Sequence, residues 1–127
     1  MKVKAPTESE EQIALADWLR LNNYLFYKSP SETYTTSWSQ KRKNKAEWVT
    51  KGFPDITIVL KRRSLLFIEL KKQGNILNNG KRWVSSWKVS EEQKKWIETL
   101  SRVDNIEACV CYGAEEAINL IKKIEIL

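Results

Sequence analysis

The sequence predicts an α/β fold, a mixed sheet flanked by helices, from three observations. Helical apolar periodicity appears at residues 7–21, again at 90–102, and at 114–123. Two apolar runs, ending at Leu60 and beginning at Leu65, are joined by the short basic link Lys61-Arg62-Arg63-Ser64, so they read as a hairpin. A further β-rich run at 106–112 lies between the second and third helical stretches. The order is helix, strand, strand, strand, helix, strand, helix, which gives a mixed sheet with helices on its faces.

The chain has 127 residues, the size of one domain with one core, and its 42% hydrophobic content excludes the disordered class. No apolar run reaches membrane-span length and the N-terminus has no signal-peptide core. A cytoplasmic protein is expected. The net charge of +6 favours a polyanionic partner, nucleic acid before an acidic membrane surface. Cys109 and Cys111 are the two cysteines, side by side on one strand face, and there is no histidine. Four-ligand zinc sites within one chain and all Ser-His, Cys-His or His-metal chemistry are therefore excluded. An active site here must use Asp, Glu, Lys or Tyr.

Each element has its own signals. Thr7 caps the first helix, Glu8, Glu10 and Glu11 fill its first turn, and Ile13, Leu15, Ala16, Trp18 and Leu19 form an apolar stripe. Glu8 and Gln12 share one face. Asn22-Asn23 ends the helix and residues 24–28 form a short strand. Residues 29–51 have no clean period. They interleave Lys41, Arg42, Lys43, Lys45 and Lys51 with Tyr34, Trp38 and Trp48, which suits a nucleic-acid surface, while a solvated loop with its tryptophans packed on the core remains open for the aromatics. After the hairpin, residues 73–89 carry turn formers, with Asn79-Gly80 a candidate hairpin tip. Lys72, Lys81 and Arg82 add positive charge there, and Trp83 and Trp87 suit substrate contact, dimer contact or plain packing. Ser90 caps the second helix with Gln93 at the capping-box position, and Trp96, Ile97 and Leu100 face the core. Gly113 ends the strand at 106–112, and the last helix turns Ala117, Ile118, Leu120 and Ile121 inward.

Three charged residues mark the place where the hairpin strands meet: Asp55 at the start of the first, Glu69 and Lys71 at the end of the second. Unpaired charge is costly to bury, so an acid and a base ending a buried strand call for a reason. Two carboxylates and an ammonium at one spot can hold a divalent cation and help activate a water. Register decides whether they meet. A two-residue turn at Arg62-Arg63 sets Asp55 opposite Leu70, on the wrong face; a three-residue connection or a bulge sets it on the face of Glu69 and Lys71. The odd or bulged connection is expected.

These residues resemble the motif of the PD-(D/E)XK nuclease superfamily, with Pro54-Asp55 as its first part and Glu69-Leu70-Lys71 as its second. Within the superfamily the chain resembles the VRR-NUC family, in the small stand-alone form often found in phages. That likeness runs through Glu8…Gln12, Lys51-Gly52-Phe53-Pro54-Asp55, Phe67-Ile68-Glu69-Leu70-Lys71, Ser90-Glu91-Glu92-Gln93-Lys94-Lys95-Trp96 and Cys111-Tyr112-Gly113-Ala114. The resemblance implies a restriction-endonuclease-like αβββαβ core over residues 1–127. It implies that Asp55, Glu69 and the Leu70 carbonyl ligate Mg²⁺ or Mn²⁺, with Glu8 or alternatively Glu11 as the first-helix acid. Lys71 would position or deprotonate the attacking water, and Gln93 would orient Lys71 or the water. Plain structural readings exist for each residue: Asp55 capping a turn, Glu69 pairing with Lys71, Gln93 serving only Ser90.

The expected function is a metal-dependent endodeoxyribonuclease acting on branched DNA such as Holliday junctions, as a homodimer, because a resolvase cuts two strands symmetrically. Lys41, Arg42, Lys43, Lys45, Lys51, Lys72, Lys81 and Arg82 are the expected DNA contacts. The alternatives are a non-catalytic nuclease-fold DNA-binding module and a nicking or flap nuclease. An RNA-directed or tRNA-splicing-like nuclease is disfavoured, because such sites generally rely on histidine.

Overall fold

A computed structural model of the chain describes residues 5–30, 51–76, 82–83 and 89–126. Helix α1 (Glu8–Leu21) is followed by β1 (Leu25–Lys28), β2 (Ile56–Val59) and β3 (Leu65–Lys71). A two-residue strand pair, β4 (Asn75–Ile76) and β5 (Arg82–Trp83), precedes α2 (Glu91–Ser101), β6 (Ile106–Tyr112) and α3 (Ala114–Ile126). The four-stranded sheet has the order β1-β2-β3-β6. β1–β2 and β2–β3 are antiparallel and β3–β6 is parallel, joined by the crossover through α2 that parallel strands need. This is the mixed, helix-flanked sheet that the sequence predicts. The β4–β5 pairing flanks the expected hairpin tip at Asn79-Gly80, which lies outside the described residues.

The register follows the odd connection. Ile56 pairs with Ile68 and Val59 with Leu65, which leaves Lys61-Arg62-Arg63 between Leu60 and Ser64. The Arg63 N–H donates to the Leu60 carbonyl at 3.2 Å, and Arg63 takes the left-handed backbone (φ 63°) common in three-residue hairpins. Two helix ends pin this link. Lys61 Nζ donates to the Asn22 carbonyl at the end of α1 (2.9 Å), and Arg62 to the Ile124 carbonyl in the last turn of α3 (2.7 Å). Cations suit helix C-termini, where unpaired carbonyls gather. Continuing the β2–β3 pairing by one step sets Asp55 across from Glu69.

The core lies on one face of the sheet. Ile56, Ile58, Leu66, Ile68, Leu70 and Cys111 pack against Leu15 and Leu19 of α1 and Ala117, Ile121 and Ile124 of α3. Ile13 departs from the expected stripe and is 59% exposed. The buried face of α1 runs through Glu11, Leu15 and Leu19 at spacings of four, and Ile13 lies about 160° around the helix from Leu15. The carboxylate of Glu11 is accepted into that face because Gln73 Nε2 donates to it at 3.1 Å, beside Gly113. On the opposite face of the sheet, α2 lies over β6. Trp96, Ile97 and Leu100 are half-buried there rather than part of the main core. Phe53 bridges Phe67 and Trp96 in two edge-to-face contacts, at 5.7 and 5.0 Å.

Gly52 joins α2 to this arrangement. Its φ is +89°, and a Cβ there would meet the backbone of Glu92 and Gln93 at 2.6 and 2.8 Å. Gly52→Ala is expected to cost about 2–4 kcal/mol, from left-handed strain plus overpacking. Thermal denaturation should show a midpoint lowered by roughly 10 °C; an unchanged midpoint would contradict this close approach.

Candidate active site

The strand ends carrying Asp55, Glu69 and Lys71 open into a cleft of ≈ 300 Å³. One wall comes from α1 and β1, with Glu8, Gln12 and Lys28. The opposite wall comes from β3 and the start of α2, with Glu69, Lys71 and Gln93, and Asp55 lies between.

Asp55 stands one residue before β2, where the ladder stops. Its Oδ2 accepts the Leu70 N–H at 2.9 Å, so the carboxylate takes the place of the next strand carbonyl. The Leu70 side chain is wholly buried on the core face. Alternation along β3 therefore turns Glu69 and Lys71 to the other face, together with Asp55. Glu69 is 4% exposed. Its Oε1 accepts from Gln93 Nε2 at 2.6 Å and pairs with Lys71 Nζ at 3.5 Å.

Gln93 uses both ends of its amide. Its Oε1 accepts the Ser90 N–H at 3.0 Å, completing the capping box of α2, while its Nε2 holds Glu69. The capping contact and the contact with the strand acid coexist on one side chain. The helix N-terminus is thereby brought to the carboxylate, where its partial positive charge is favourable.

Two acids opposite each other in partial burial resist ionisation. Glu69 is raised to about 7, first by burial and then by the charge of Asp55, against the pull of Lys71. Asp55 is raised too, by burial first and by Glu8 as well, with the Leu70 N–H, Lys71 and Lys28 opposing. Glu69 Oε2 is buried with no hydrogen-bond partner. An orphaned oxygen beside a second carboxylate is a donor set for a hard cation. Among the described residues no three acids or cysteines converge into a metal cage. The candidate donors are the two carboxylates of Asp55 and Glu69, and Mg²⁺ needs no more than one or two because it keeps several waters. The residues present fit the ion.

The remaining sequence candidates divide clearly. Glu8 lines the cleft, whereas Glu11 is buried against Gln73 and Gly113, outside it. Lys51 is exposed, and its carbonyl accepts Trp96 Nε1 at 3.0 Å. Lys72 follows the site at the end of β3 and is half-buried. Lys41, Arg42, Lys43, Lys45 and Lys81, with Trp38, Trp48 and Trp87, lie outside the described residues, and only the backbone of Arg82 and Trp83 is described. Sequence reasoning missed Lys28 as a cleft residue. The signal available was its position at the end of a strand that precedes the aperiodic basic stretch at 29–51.

The family model described as the VRR-NUC domain matches residues 6–115. Among solved structures the chain is similar to one described as a "VRR_NUC domain protein", with 24% identity, a TM-score of 0.67, and coverage of 95% of this chain and 89% of that one. That likeness is one of fold. No curated protein matches.

The raised acid gives a stability prediction. A carboxyl moved from 4.5 to about 7 by folding holds its proton more tightly in the folded state. Its contribution is intact below 4.5 and is lost as pH rises through 7, on the order of 3 kcal/mol when complete. Glu69→Gln removes the charge and keeps an acceptor for Gln93. In EDTA the variant should melt higher than wild type at pH 8 and nearly equally at pH 4.5. Mn²⁺ at pH 8 should raise the wild-type midpoint alone. A difference between the two proteins that does not vary with pH would rule out the titration of Glu69 as its source.

Proposed function

The chain belongs to the VRR-NUC family, of the PD-(D/E)XK nuclease superfamily, and from that premise we propose that it is a metal-dependent endonuclease that hydrolyses phosphodiester bonds in DNA. The observation that carries the proposal is the convergence of Asp55, Glu69 and Lys71 on one cleft, with Gln93 locking Glu69 and one Glu69 oxygen left without a partner.

Asp55, Glu69 and the Leu70 carbonyl would hold Mg²⁺ or Mn²⁺, with Glu8 on the facing wall; the ion when bound supplies charge neutralisation and a more acidic water. The chain's own residues do the rest. Gln93 fixes the rotamer of Glu69 through Oε1 and leaves the buried Oε2 without a hydrogen-bond partner. The Leu70 N–H holds Asp55 in the same way. Lys71 Nζ, 3.5 Å from Glu69, would hydrogen-bond an oxygen of the scissile phosphate and offset the charge that develops there. With no histidine in the chain, Lys71 would orient the attacking water, and could take its proton only after losing one of its own.

Branched DNA is the proposed substrate, and symmetric cutting of a junction requires two sites, hence a homodimer. The net charge of +6 supports a DNA partner. Among the described residues no helix is long and apolar enough to cross a membrane.

The test is a cleavage assay on four-way junction, flap, duplex and single-stranded DNA with Mg²⁺, Mn²⁺ or EDTA. Wild type should cut only with metal. Asp55→Ala, Glu69→Ala and Lys71→Ala should each lose about 10²–10³-fold or more, and Gln93→Ala roughly 10–100-fold. Paired symmetric cuts in the junction are the expected pattern. DNA binding without cleavage under every condition would replace the nuclease by a non-catalytic module.

A further inference from the structure

Besides Lys71, a second ammonium group lines the cleft, on the other wall. Lys28 ends β1 and is paired with Ile56, the residue after Asp55. Its backbone is fixed just beyond the strand: the Ser29 N–H donates to the Asp55 carbonyl at 2.7 Å, and Ser29 Oγ to the Pro54 carbonyl at 3.0 Å. Its side chain is fixed by α1, because Nζ donates to Gln12 Oε1 at 2.8 Å. Lys28 lines the same cleft as Asp55, Glu69 and Lys71.

The two lysines differ in what holds them. Lys71 is paired with the carboxylate of Glu69, whereas Lys28 is held by a neutral amide. A carboxylate at position 12 would offset the lysine's charge; glutamine orients the ammonium without neutralising it. An oriented ammonium with its charge retained, exposed in a cleft, is a docking point for an anion. β1 lies two strands from β3, about 10 Å across the sheet. Lys28 and Lys71 therefore address different groups of an extended substrate.

Resting on the nuclease reading above, we propose that Lys28 docks a non-scissile phosphate of the DNA strand being cut, with Gln12 as its positioning residue. A single ammonium on a phosphate carries no base information, so this contact sets where the strand lies in the cleft and not which sequence it has.

The test is DNA binding by the full chain in EDTA, read by fluorescence anisotropy on a junction and a duplex across a salt series. Lys28→Gln should weaken binding severalfold and shrink the slope of log K against log salt by about 0.9 on duplex DNA. Lys28→Arg should restore the slope. Gln12→Met should keep the slope and weaken binding less than Lys28→Gln. Lys122→Gln, on the exposed side of α3 away from the cleft, controls for net charge and should leave the slope unchanged. With metal added, Lys28→Gln should raise KM by a larger factor than it lowers kcat. Melting temperatures close to wild type would certify that the variants are folded. A wild type that binds and cuts DNA, with Lys28→Gln matching it or matching the Lys122→Gln control in slope, overturns this inference alone. A wild type that binds no DNA overturns both it and the nuclease reading.

Discussion

The register of β2 against β3 is the constraint on which the rest of the molecule depends. Side chains alternate with a period of two, so a slip by one residue would carry Asp55 to the core face, among Ile68 and Leu70, and turn Ile56 and Ile58 out of the core. The three-residue link sets the register, and two helix C-termini hold the link through Lys61 and Arg62. At the far end, Asp55 closes the ladder on the Leu70 N–H. Contacts that look purely structural at one end of the hairpin thus decide whether two carboxylates meet at the other. The basic residues of the link serve helix ends lying at the opposite end of the strands from the cleft, which separates them from the cations beside Asp55.

The second coupling runs through Gln93. Its side-chain oxygen accepts the capping-box bond that fixes the first turn of α2, and its Nε2 donates to Glu69. Gly52 lets the loop before Asp55 approach the same turn of α2, and Phe53 packs against Trp96 one turn further on. The acid from β3, the acid before β2 and the helix from the other side of the sheet are therefore positioned by one another. Local capping chemistry and the geometry of the cleft are the same bonds, so a change at Ser90 or Gly52 reaches Glu69 without touching it.

Much of this was legible in the chain. Strand alternation and the apolar runs predict the hairpin, the expectation that Asp55 meets Glu69 and Lys71 selects its odd connection, and N-caps mark the starts of α1 and α2 at Thr7 and Ser90. The observed register then brings Asp55 to the face of Glu69 and Lys71. Other features depended on long-range partners. Ile13 counts as apolar in any stripe, yet the helix is rotated so that Glu11 is buried, because Gln73 and Gly113, more than sixty and a hundred residues away, make room for a carboxylate. The choice between Glu8 and Glu11 was hidden for the same reason: both suit a first turn, and tertiary neighbours decide which one reaches the cleft. Lys28 was obscured by being one lysine among many in a basic chain. Its significance comes from Gln12, on a different element.

The energetics of the cleft argue against a merely structural role. Like charges directly opposite on paired strands are destabilising. Asp55 and Glu69 stand in that relation, both raised in pKa chiefly by burial, with Glu69 Oε2 buried and unpartnered. An apolar or neutral side chain at position 69, itself 4% exposed, would avoid that repulsion and the cost of burying the charge. Here Gln93, Lys71 and the Leu70 N–H instead hold the two acids in place without cancelling their repulsion. In the proposed metal-bound state a cation would offset that repulsion. Two ammonium groups, one beside the acids and one held by an amide, would then frame an extended polyanion.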